Sequence, residues 1–570
     1  MSSRLAGHAL VEALIAQGID TCFGVPGESY LAVLDGFHEH RERIRFITCR
    51  QESGAAFMAE AQGKLSGRPG ICFVTRGPGA SNAAVGLHTA FQDSTPMILF
   101  IGQVASDQRD REAFQEVDFR QMFGPGTLGM AKWSAEIQSA DRVPEYVARA
   151  FHTAMQGRPG PVVLSLPEDM LTTMTSAPVL ARSMIAAAWP APGPLRDLRQ
   201  MLLAARQPLV IAGGSGWDAE ACAALQRFAE NWQLPVACGF RFQDTFDNRH
   251  ALYAGDVGIG INPKLADRVR AADLVIALGV RLGEMTTGGY SLLAVPRPRQ
   301  RLVHVHAGAE ELGRVYQADL LLQASMDLAA KALETLAAPN DLPWRAWTES
   351  VHADYLDNLE STPVSPLDMA QAMKTVQRLA PEDTVYTNGA GNFSGWLHRF
   401  VQYPSLQHHG RTQLAPTSGA MGYGVPAAIA ARLLYPQRTV VNLAGDGDFL
   451  MTGQELATAT TYRAGQADGK LVSIVVDNAS YGTIRMHQER EYPGRISASE
   501  LFNPDFVQLA KAYGWAGARV DRTEQFEAAF AQALASDRPT LLHLKLDTDV
   551  ITTRTSLAAI RASALREGRG

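Results

Sequence analysis

Short apolar runs alternate with longer amphipathic segments over the first 170 residues of the chain. Five of these runs predict strands: "DTCFGV", "RIRFITC", "PGICFVT", "MILFIGQV" and "PVVLSLP". Each of the first three is followed by a Gly-rich or polar turn and then by a segment of helical periodicity, such as "ESGAAFMAEAQGKL". This alternation predicts a parallel sheet that is covered by helices on both faces.

The same pattern returns twice, after Pro-containing breaks at residues 186–194 and 336–344. The second block contains the predicted strands "PLVIAGG", "LPVACG", "DLVIALG" and "RLVHVHAG". The third contains "DTVYTNG", "TVVNLAG", "LVSIVVDN" and "TLLHLKL". We therefore predict an α/β protein with three doubly wound parallel-sheet domains, at residues 1–172, 190–337 and 365–550.

The two outer blocks resemble each other. "RPGPVVLSLPED", near the end of the first, matches "RPTLLHLKLDTD", near the end of the third, and each follows a helical segment that carries Ala and Phe. Internal repetition of this kind predicts two copies of one α/β unit on either side of a different one.

Composition narrows the class of protein. The hydrophobic share of 46% and charged share of 19% are those of a soluble globular chain. The net charge of −6 and the scattered Lys and Arg residues predict no nucleic-acid surface. No apolar run approaches the roughly 20 residues of a membrane span. Five cysteines without a C-x-x-C pair favour a reducing cytoplasm over a disulfide or zinc scaffold. We expect a soluble cytoplasmic protein with no nucleic-acid or membrane partner.

Two predicted strands of the third block end in polar turns. "TVVNLA" ends at Gly445-Asp446-Gly447, and "LVSIVV" ends at Asp477-Asn478. Ligands of open α/β sheets gather beyond the carboxyl ends of the strands, so we expect Asp446 and Asn478 to face one crevice. A carboxylate and an amide oxygen suit Mg²⁺, which also takes phosphate oxygens.

The surroundings of the Gly-Asp-Gly turn suit an anion. The flanking glycines let backbone N–H groups approach closely. Thr452 and Glu455 have capping-box spacing, which predicts a helix that begins just after the turn and whose N-terminus attracts phosphate. The alternative is purely structural: Asp446 caps a helix and Asn478 makes an Asx-turn.

Gly-Asp-Gly followed, after a helix and a strand, by an Asn turn resembles the magnesium-diphosphate signature of thiamine-diphosphate enzymes. The family usually has Asn-Asn where this chain has Asp477-Asn478. Because the ligand position is the second of the pair, the difference leaves it intact. The resemblance implies that Asp446, Asn478 and the main-chain oxygen of Ser480 hold the metal.

The family also activates its cofactor with a Glu that hydrogen-bonds the aminopyrimidine ring. That Glu follows a strand and precedes a helix rich in small residues, and "RFITCRQESGAAFMAEAQGKLSG" matches this context with Glu52. The imino tautomer so formed removes the thiazolium C2 proton, and the resulting ylid is the nucleophile. The alternative is a Glu in a first helical turn, stabilised only by the helix dipole.

Motifs along the whole chain resemble those of the acetolactate (acetohydroxyacid) synthases, in the same order. They include "FGVPGES", "FVTRGPGASNAAVGL", "DSTPMILFIGQV" and "GAMGYGVPAAIAA". The resemblance implies pyrimidine-binding, middle and diphosphate-binding domains. It implies decarboxylation of a pyruvate-like 2-oxo acid and carboligation to a second carbonyl. It also implies a homodimer or homotetramer, with Glu52 and Asp446 of one site on different subunits.

The same resemblance assigns the remaining site residues. Met421 wedges under the cofactor, Gln115 and Lys132 line the substrate channel, and Gly27 contacts the cofactor through its backbone. "GAGNF" matches the diphosphate loop with one residue inserted. The implied cofactor-binding set is Gly27, Glu52, Gly391, Asn392, Met421, Gly445, Asp446, Gly447, Asp448, Asn478, Ser480 and Tyr481.

Three departures from the synthases concern the acceptor and FAD. Met285 stands where they carry an Arg that would bind a substrate carboxylate. His487 stands where they carry a Trp, and it is either a proton donor in the cleft or a solvated surface residue. Their "HIDID" segment becomes "HVHAG", whereas the Gly-rich turn at residues 213–216 suits a nucleotide, so FAD binding is left open.

Three other functions stay open. A 2-oxo acid decarboxylase or C–C lyase would protonate the intermediate without ligation, although the adjacent His pair of pyruvate decarboxylases is missing from the first block. A regulatory scaffold would not need Glu52, Asp446 and Asn478 together. A flavin-dependent 2-oxo acid oxidase would consume oxygen.

Overall fold

The computed structural model describes residues 3–124, 129–465 and 468–568. The chain forms two compact units, each assembled from separate stretches of sequence. The first unit comprises residues 1–186, 425–436 and 450–465. The second comprises residues 187–424, 437–449 and 466–570.

The first unit is built on a six-stranded parallel sheet and also has a two-stranded antiparallel pair. The strands of the unit are β1 (Arg4–Leu5), β2 (Thr21–Gly24), β3 (Arg45–Thr48), β4 (Gly70–Val74), β5 (Met97–Gln103), β6 (Trp133–Glu136), β7 (Pro161–Pro167) and β8 (Met174–Thr175). Helices are α1 (Ala6–Ala16), α2 (Leu31–Glu39), α3 (Glu52–Ser66), α4 (Gly77–Asp93), α5 (Phe119–Phe123), α6 (Val143–Met155) and α7 (Glu168–Leu171). The six parallel strands run in the order β3-β2-β4-β5-β7-β6, and β1 pairs antiparallel with β8.

The apolar runs explain this sheet. Strands β4, β5 and β7 are buried along their whole length, as expected where helices cover both faces. All five predicted strands are confirmed. The edge strand β6 was not predicted, because its sequence, "WSAE", is half-buried and carries no apolar run.

The second unit contains two more parallel sheets. The middle one has β9 (Pro208–Ala212), β10 (Val236–Cys238), β11 (Tyr253–Asp256), β12 (Leu274–Leu278), β13 (Arg301–His306) and β14 (Leu320–Gln323), in the order β11-β10-β9-β12-β13-β14. The helices of this part of the chain are α8 (Pro192–Ala204), α9 (Ala219–Trp232), α10 (Pro263–Ala271), α11 (Met326–Glu334) and α12 (Arg345–Asn358).

The third sheet comes from the C-terminal block. Its strands are β15 (Val385–Asn388), β16 (Gln413–Leu414), β17 (Val440–Gly445), β18 (Leu471–Asp477), β19 (Ala516–Val520) and β20 (Thr540–Lys545), in the order β16-β15-β17-β18-β20-β19. Helices of this block are α13 (Met369–Leu379), α14 (Ser394–Phe400), α15 (Leu406–His409), α16 (Gly424–Leu434), α17 (Asp446–Leu450), α18 (Leu456–Thr461), α19 (Gly482–Glu491), α20 (Phe506–Ala512), α21 (Thr523–Ala535) and α22 (Leu557–Arg566).

The three sheets confirm the predicted α/β class. The first and third also share one strand order, with β7 and β20, which carry the repeated sequence, in the same place beside an edge strand. The middle sheet has a different order. The chain therefore contains two copies of one topology on either side of another, as the repeat predicts.

The predicted capping box at Thr452 and Glu455 is wrong. Helix α17 begins at Asp446 itself, and a 3₁₀ turn at Gly453–Glu455 leads into α18. The Glu455 carboxylate instead accepts hydrogen bonds from the backbone N–H groups of Arg50 and Gln51. The Glu455 carboxylate therefore makes a tertiary contact instead of the helix cap that the local pattern predicts.

Two findings concern the expectations from composition. Over the ranges that the structure describes, no helix is both long enough and apolar enough to cross a membrane. All five cysteines are buried as free thiols: Cys22, Cys49, Cys72, Cys222 and Cys238. They are core residues, as the apolar runs around them predict.

A buried carboxylate joins the middle and third blocks within the second unit. Asp244 is fully buried and accepts a hydrogen bond of 2.8 Å from the Arg411 guanidinium. It also accepts bonds from the backbone N–H groups of Thr412, at 3.0 Å, and Gln413, at 3.1 Å. Asp244 therefore fixes the chain that enters β16 against the segment that follows β10.

Asp244→Ala should lower the free energy of unfolding by about 3–5 kcal/mol, because it leaves the Arg411 charge buried without its carboxylate. The measurement is a chemical denaturation curve. The matched control is Asp521→Ala, which breaks an exposed pair with Arg519 and should cost less than about 1 kcal/mol. Equal effects of the two substitutions would contradict the assignment.

Candidate functional site

The two polar turns of the third sheet follow adjacent strands. Strands β17 and β18 are paired in parallel, with Gly445 opposite Val476. Asp446 follows the end of β17 directly, and Asn478 follows the end of β18. Their backbones therefore leave the sheet side by side at its carboxyl edge.

A cavity of about 230 Å³ opens at this edge. It is lined by ten of the residues that the resemblance assigns to the cofactor: Gly391, Asn392, Met421, Gly445, Asp446, Gly447, Asp448, Asn478, Ser480 and Tyr481. The expectation that Asp446 and Asn478 face one crevice is confirmed.

Asp446 is held in place by its neighbours. Only 3% of its surface is exposed. One carboxylate oxygen accepts a hydrogen bond from the Gly447 N–H, at 2.9 Å, and the other from the Ser480 N–H, at 3.3 Å, and the Asn503 amide, at 2.8 Å. Burial raises the pKa of Asp446, and these hydrogen bonds oppose the rise. The carboxylate has a defined orientation beside the cavity.

Asp477 has a different role from Asn478, its neighbour in sequence. Its carboxylate accepts hydrogen bonds from His543 Nε2, at 2.8 Å, from the Asn503 amide, at 2.8 Å, and from the Lys545 ammonium, at 3.1 Å. Burial alone would raise the pKa of Asp477, but these donors outweigh it and hold the pKa well below its usual value. Asp477 is therefore a fully engaged anion that anchors the turn.

Asp448 is the third carboxylate of this edge. One of its oxygens accepts hydrogen bonds from the Gly422 N–H, at 2.8 Å, and the Ala390 N–H, at 3.1 Å. Burial raises the pKa of Asp448 to about 7. The side chain thus lies next to the expected diphosphate position and keeps its proton over most of the acidic range.

The glycines beside Asp446 make room for aromatic rings. A Cβ on Gly445 would lie 2.7 Å from the Phe393 ring, and one on Gly447 would lie 2.6 Å from the Tyr481 ring. Phe393 and Tyr481 both line the cavity. The two glycines are therefore needed to shape the wall, besides leaving the backbone accessible to an anion.

The donor set fits a magnesium diphosphate. The cavity is lined by a carboxylate (Asp446), an amide (Asn478) and a turn at Ser480 whose carbonyl can contribute a third oxygen. Among the described residues, no hydrogen bond engages the Asn478 side chain, so its oxygen is available. Mg²⁺ commonly takes a few protein oxygens and completes its shell with phosphate and water.

The cofactor-activating candidate lies in the first unit. Glu52 is the first residue of α3, and the amide of Asn82, on α4, donates a hydrogen bond of 2.9 Å to its carboxylate. The Gln51 side chain caps α3 by accepting from the N–H groups of Ser53 and Gly54. The position of Glu52 is thus defined by a helix start.

Glu455 supports the turn before Glu52. It is fully buried, and its carboxylate accepts from Arg50 N–H and Gln51 N–H at 3.0 Å and from the Thr458 hydroxyl at 2.6 Å. Its position also requires Gly54, whose Cβ would lie 2.5 Å from a Glu455 oxygen. The segment at residues 450–465 therefore braces the strand-to-helix turn of the first sheet.

Gly27 and Gln115 lie near the "RGPG" loop of the first unit. A Cβ on Gly27 would lie 2.5 Å from the Thr75 side chain, which precedes that loop. Gln115 has a positive φ of 65°, and its carbonyl accepts a hydrogen bond from the Gly77 N–H. Both residues therefore contact the chain that leads into α4.

Lys132 and His487 make contacts outside the cavity. The Lys132 ammonium donates to the carbonyl oxygens of Gln156, at 2.6 Å, and Arg158, at 2.8 Å, in the segment that follows α6. His487 is exposed on α19 and accepts a hydrogen bond from the Arg490 guanidinium. Burial and Arg490 lower the pKa of His487. The described lining of the 230 Å³ cavity does not include it.

Several residues of the site were not predicted from sequence. Apolar side chains complete the cavity wall: Phe393, Trp396, Val476, Ile484, Leu546, Val550 and Ile551. Asn503 and His543 come from distant segments, and no local motif marks them. A partial signal existed for Leu546 and Val550, because they follow β20, whose carboxyl end lies beside that of β18.

The C-terminal helix is fastened to α19. The Arg561 guanidinium of α22 donates to the Glu489 carboxylate, one bond being 2.7 Å long, and Glu489 is fully buried. The Arg561 hydrogen bond lowers the pKa of Glu489 to about 2. This ion pair fixes the end of the chain beside the helix that follows the Asn478 turn.

Three stretches of the chain match models of known protein families. Residues 4–122 match the N-terminal TPP binding domain of thiamine pyrophosphate enzymes, residues 195–333 match the central domain, and residues 389–544 match the C-terminal TPP binding domain. The three matches follow the order of the three sheets.

Curated relatives match over almost the whole chain. The chain is 32% identical to the acetolactate synthase isozyme 2 large subunit of Escherichia coli (strain K12), over 94% of this chain and 95% of the relative. It is 32% identical to the acetolactate synthase large subunit of Parasynechococcus marenigrum, over 94% and 86%. For the Corynebacterium glutamicum large subunit the identity is 30%, over 95% and 86%.

Asp448→Asn should change how the stability of the cofactor-free protein depends on pH. The native pKa of about 7 exceeds the ordinary value of 3.8, so between these values the native state keeps a proton that the unfolded state releases. The contribution of Asp448 to the free energy of unfolding therefore falls as pH rises through this window, by at most on the order of 4 kcal/mol.

Asparagine keeps the acceptor for Gly422 and Ala390, because both N–H groups bond to the same oxygen. The variant should match the wild type near pH 4 and be more stable at pH 8. Urea denaturation across this range measures the difference. A difference that does not change with pH would refute the raised pKa.

Proposed function

Because this chain belongs to the thiamine pyrophosphate enzymes, in the group of the acetolactate synthase large subunits, we propose that it decarboxylates a 2-oxo acid such as pyruvate and ligates the product to a second carbonyl. The observation that carries the proposal is the cavity at the carboxyl edge of β17 and β18. It combines a fixed carboxylate, an available amide oxygen and an apolar wall in one place.

The metal role of this edge is part of the proposal. Asp446, Asn478 and the Ser480 carbonyl would hold Mg²⁺, and the metal would bind the diphosphate. The preset carboxylate supports this, because a ligand that needs no reorientation loses little conformational entropy on binding. Where Asp448 is protonated, it would donate a hydrogen bond toward a phosphate oxygen instead of repelling it.

We propose that Glu52 activates the cofactor. When bound, thiamine diphosphate supplies the nucleophilic carbon and the electron sink for decarboxylation. Glu52 would hold a proton shared with the aminopyrimidine ring. The Asn82 hydrogen bond engages one carboxylate oxygen, so the other would be available to the ring. Gln115 would lie along the approach of the substrate.

The apolar wall suits the decarboxylation step. Met421, Trp396 and Ile551 present hydrocarbon and aromatic surface in the cavity. Exclusion of water favours loss of CO₂, because charge is dispersed as the carboxylate leaves. Met285, in the middle block, offers no charge for an acceptor carboxylate, so an aldehyde or another uncharged carbonyl is the acceptor class we favour.

Within the described residues, the middle block does not reproduce the flavin contact expected from the synthases. One glycine of the predicted nucleotide turn is explained by packing, since a Cβ on Gly214 would lie 2.1 Å from the Gly279 carbonyl oxygen. Burial lowers the pKa of His304, in "HVHAG", to about 4, so the ring is neutral. Glu311 pairs with Arg281 and Arg314. These residues do not fit the acidic ribose contact of the synthases, and we derive no step through FAD.

We propose that the working enzyme is at least a homodimer in which Glu52 and Asp446 of one site come from different subunits. The family resemblance supports this arrangement. We place the enzyme in the cytoplasm, on the basis of its free cysteines.

Glu52→Gln should nearly abolish exchange of the thiazolium C2 proton and leave cofactor affinity within about tenfold of the wild type, since a proton-transfer group typically contributes 10²–10⁴-fold. Proton exchange is read by NMR after quenching in deuterated buffer, and affinity by calorimetry. The matched control is Glu145→Gln, an exposed first-unit carboxylate that pairs with Arg142. Unchanged exchange in the Glu52 variant would overturn its role.

Incubation of the holoenzyme with pyruvate and a panel of carbonyl acceptors tests the reaction. We expect a ligated hydroxyketone, formed faster with aldehydes than with 2-oxo acids, because the Arg that would bind a second carboxylate is replaced by Met285. Products are identified by mass spectrometry. Release of acetaldehyde alone would contradict carboligation and favour the decarboxylase alternative.

A further inference from the structure

One amide group joins two buried carboxylates at the edge of the third sheet. The Asn503 Nδ2 lies 2.8 Å from an Asp446 oxygen and 2.8 Å from an Asp477 oxygen. Asn503 lies 57 residues after Asp446 and 26 after Asp477. Nothing in the local sequence marks it as part of the site.

The orientation of this amide follows from charge. Carboxylate oxygens only accept hydrogen bonds here, so the atom that faces both of them must be the NH₂ group, which has two protons to donate. The Asn503 oxygen then points away, and it is buried without a hydrogen-bond partner in the described part of the chain. Leaving an acceptor unpaired has a cost, which the two charge-assisted bonds offset.

The far end of the bridge is firmly anchored. Asp477 also accepts from His543 and Lys545, both on β20, and from the Ala479 N–H, at 2.9 Å. These donors keep Asp477 ionised and fixed. Through Asn503, the orientation of Asp446 is therefore tied to two strands, β18 and β20, in addition to the turn that carries it.

The bridge also selects which lone pairs of Asp446 remain available. One oxygen is engaged by Gly447, and the other by Ser480 and Asn503. Without Asn503, that second oxygen would keep only the 3.3 Å bond from Ser480, and the buried Asp477 charge would act on Asp446 without the intervening donor. The carboxylate would then lose its shortest hydrogen bond and part of the compensation for its burial.

We propose that Asn503 is a positioning residue for the metal: it holds Asp446 in the orientation that binds Mg²⁺ and separates its charge from that of Asp477. This inference rests on the proposed function, in which Asp446 is a ligand of the diphosphate-bound magnesium. The role of Asn503 would be indirect, because the NH₂ group that faces Asp446 is a hydrogen-bond donor and not a metal ligand. Partners of this kind, which orient a ligand, typically contribute 10–100-fold to metal affinity.

The test measures Mg²⁺ binding directly. Asn503→Leu removes the amide at nearly constant volume, and Asn503→Ala is the second variant in case the first folds poorly. At saturating thiamine diphosphate, calorimetric titration with Mg²⁺ should show a Kd raised about 10–100-fold in both. At saturating Mg²⁺, kcat should recover most of its wild-type value, because the reacting groups are unchanged.

Two controls separate the possible failures. Asn262→Ala removes an amide that caps α10 and donates to the Asp354 carbonyl. This variant measures how the loss of a stabilising Asn outside the cavity affects Mg²⁺ binding, and we expect its Mg²⁺ affinity to be unchanged. Asp446→Ala should lose Mg²⁺ binding outright.

Wild-type Mg²⁺ affinity in both Asn503 variants, together with its loss in Asp446→Ala, would overturn the positioning role and leave the proposed function standing. Wild-type affinity in Asp446→Ala would instead overturn the metal site on which the inference rests. Equal weakening in Asn262→Ala and Asn503→Leu would show that the effect is general destabilisation, which also refutes the positioning role.

Discussion

Three carboxylates buried along one sheet edge are the constraint around which the site is built. Asp446, Asp448 and Asp477 are each only 3% exposed. Burying a charge is costly unless hydrogen bonds or counter-charges compensate it, and each of the three carboxylates is compensated by a different set of donors. The bonds from His543 and Lys545 lower the pKa of Asp477, burial raises the pKa of Asp448 to about 7, and the donors around Asp446 partly oppose the rise that burial causes in its pKa. The three carboxylates thus differ in how their burial is compensated.

The first unit also contains a buried carboxylate with a structural role. Glu455, fully buried, accepts hydrogen bonds from the backbone N–H groups of the turn before Glu52, while Asn82 donates to Glu52 itself. Each unit therefore pairs a buried acid that braces a turn with a nearby acid to which we assign a chemical role. A substitution at either brace would act on the reaction indirectly, through the position of its neighbour.

Most of the fold could be predicted because parallel strands that are covered on both faces have continuous apolar sequences. The missed strands β6, β11, β14, β16 and β19 all lie at sheet edges, and β1 and β8 are only two residues long. Their burial is partial or their pairing brief, so most of them lack an apolar run; β14, which reads LLLQ, is the exception. The site residues of the Asp446 and Asn478 turns were predictable because they directly follow central strands. Asn503, His543 and Trp396 were not, since their roles depend on pairing between distant segments.

The α/β class, the three sheets and the two polar turns follow from the amino-acid sequence, because these depend on local periodicity and on residues adjacent to strand ends. The hydrogen bonding and burial of each polar side chain follow instead from tertiary contacts. In the folded chain, Glu455 accepts hydrogen bonds from the turn before Glu52 instead of capping a helix. Lys132 donates to backbone carbonyls, and His487 is exposed outside the cavity. The physical reason is that hydrogen bonding and burial of a polar group are set by neighbours distant in sequence, which no local pattern encodes.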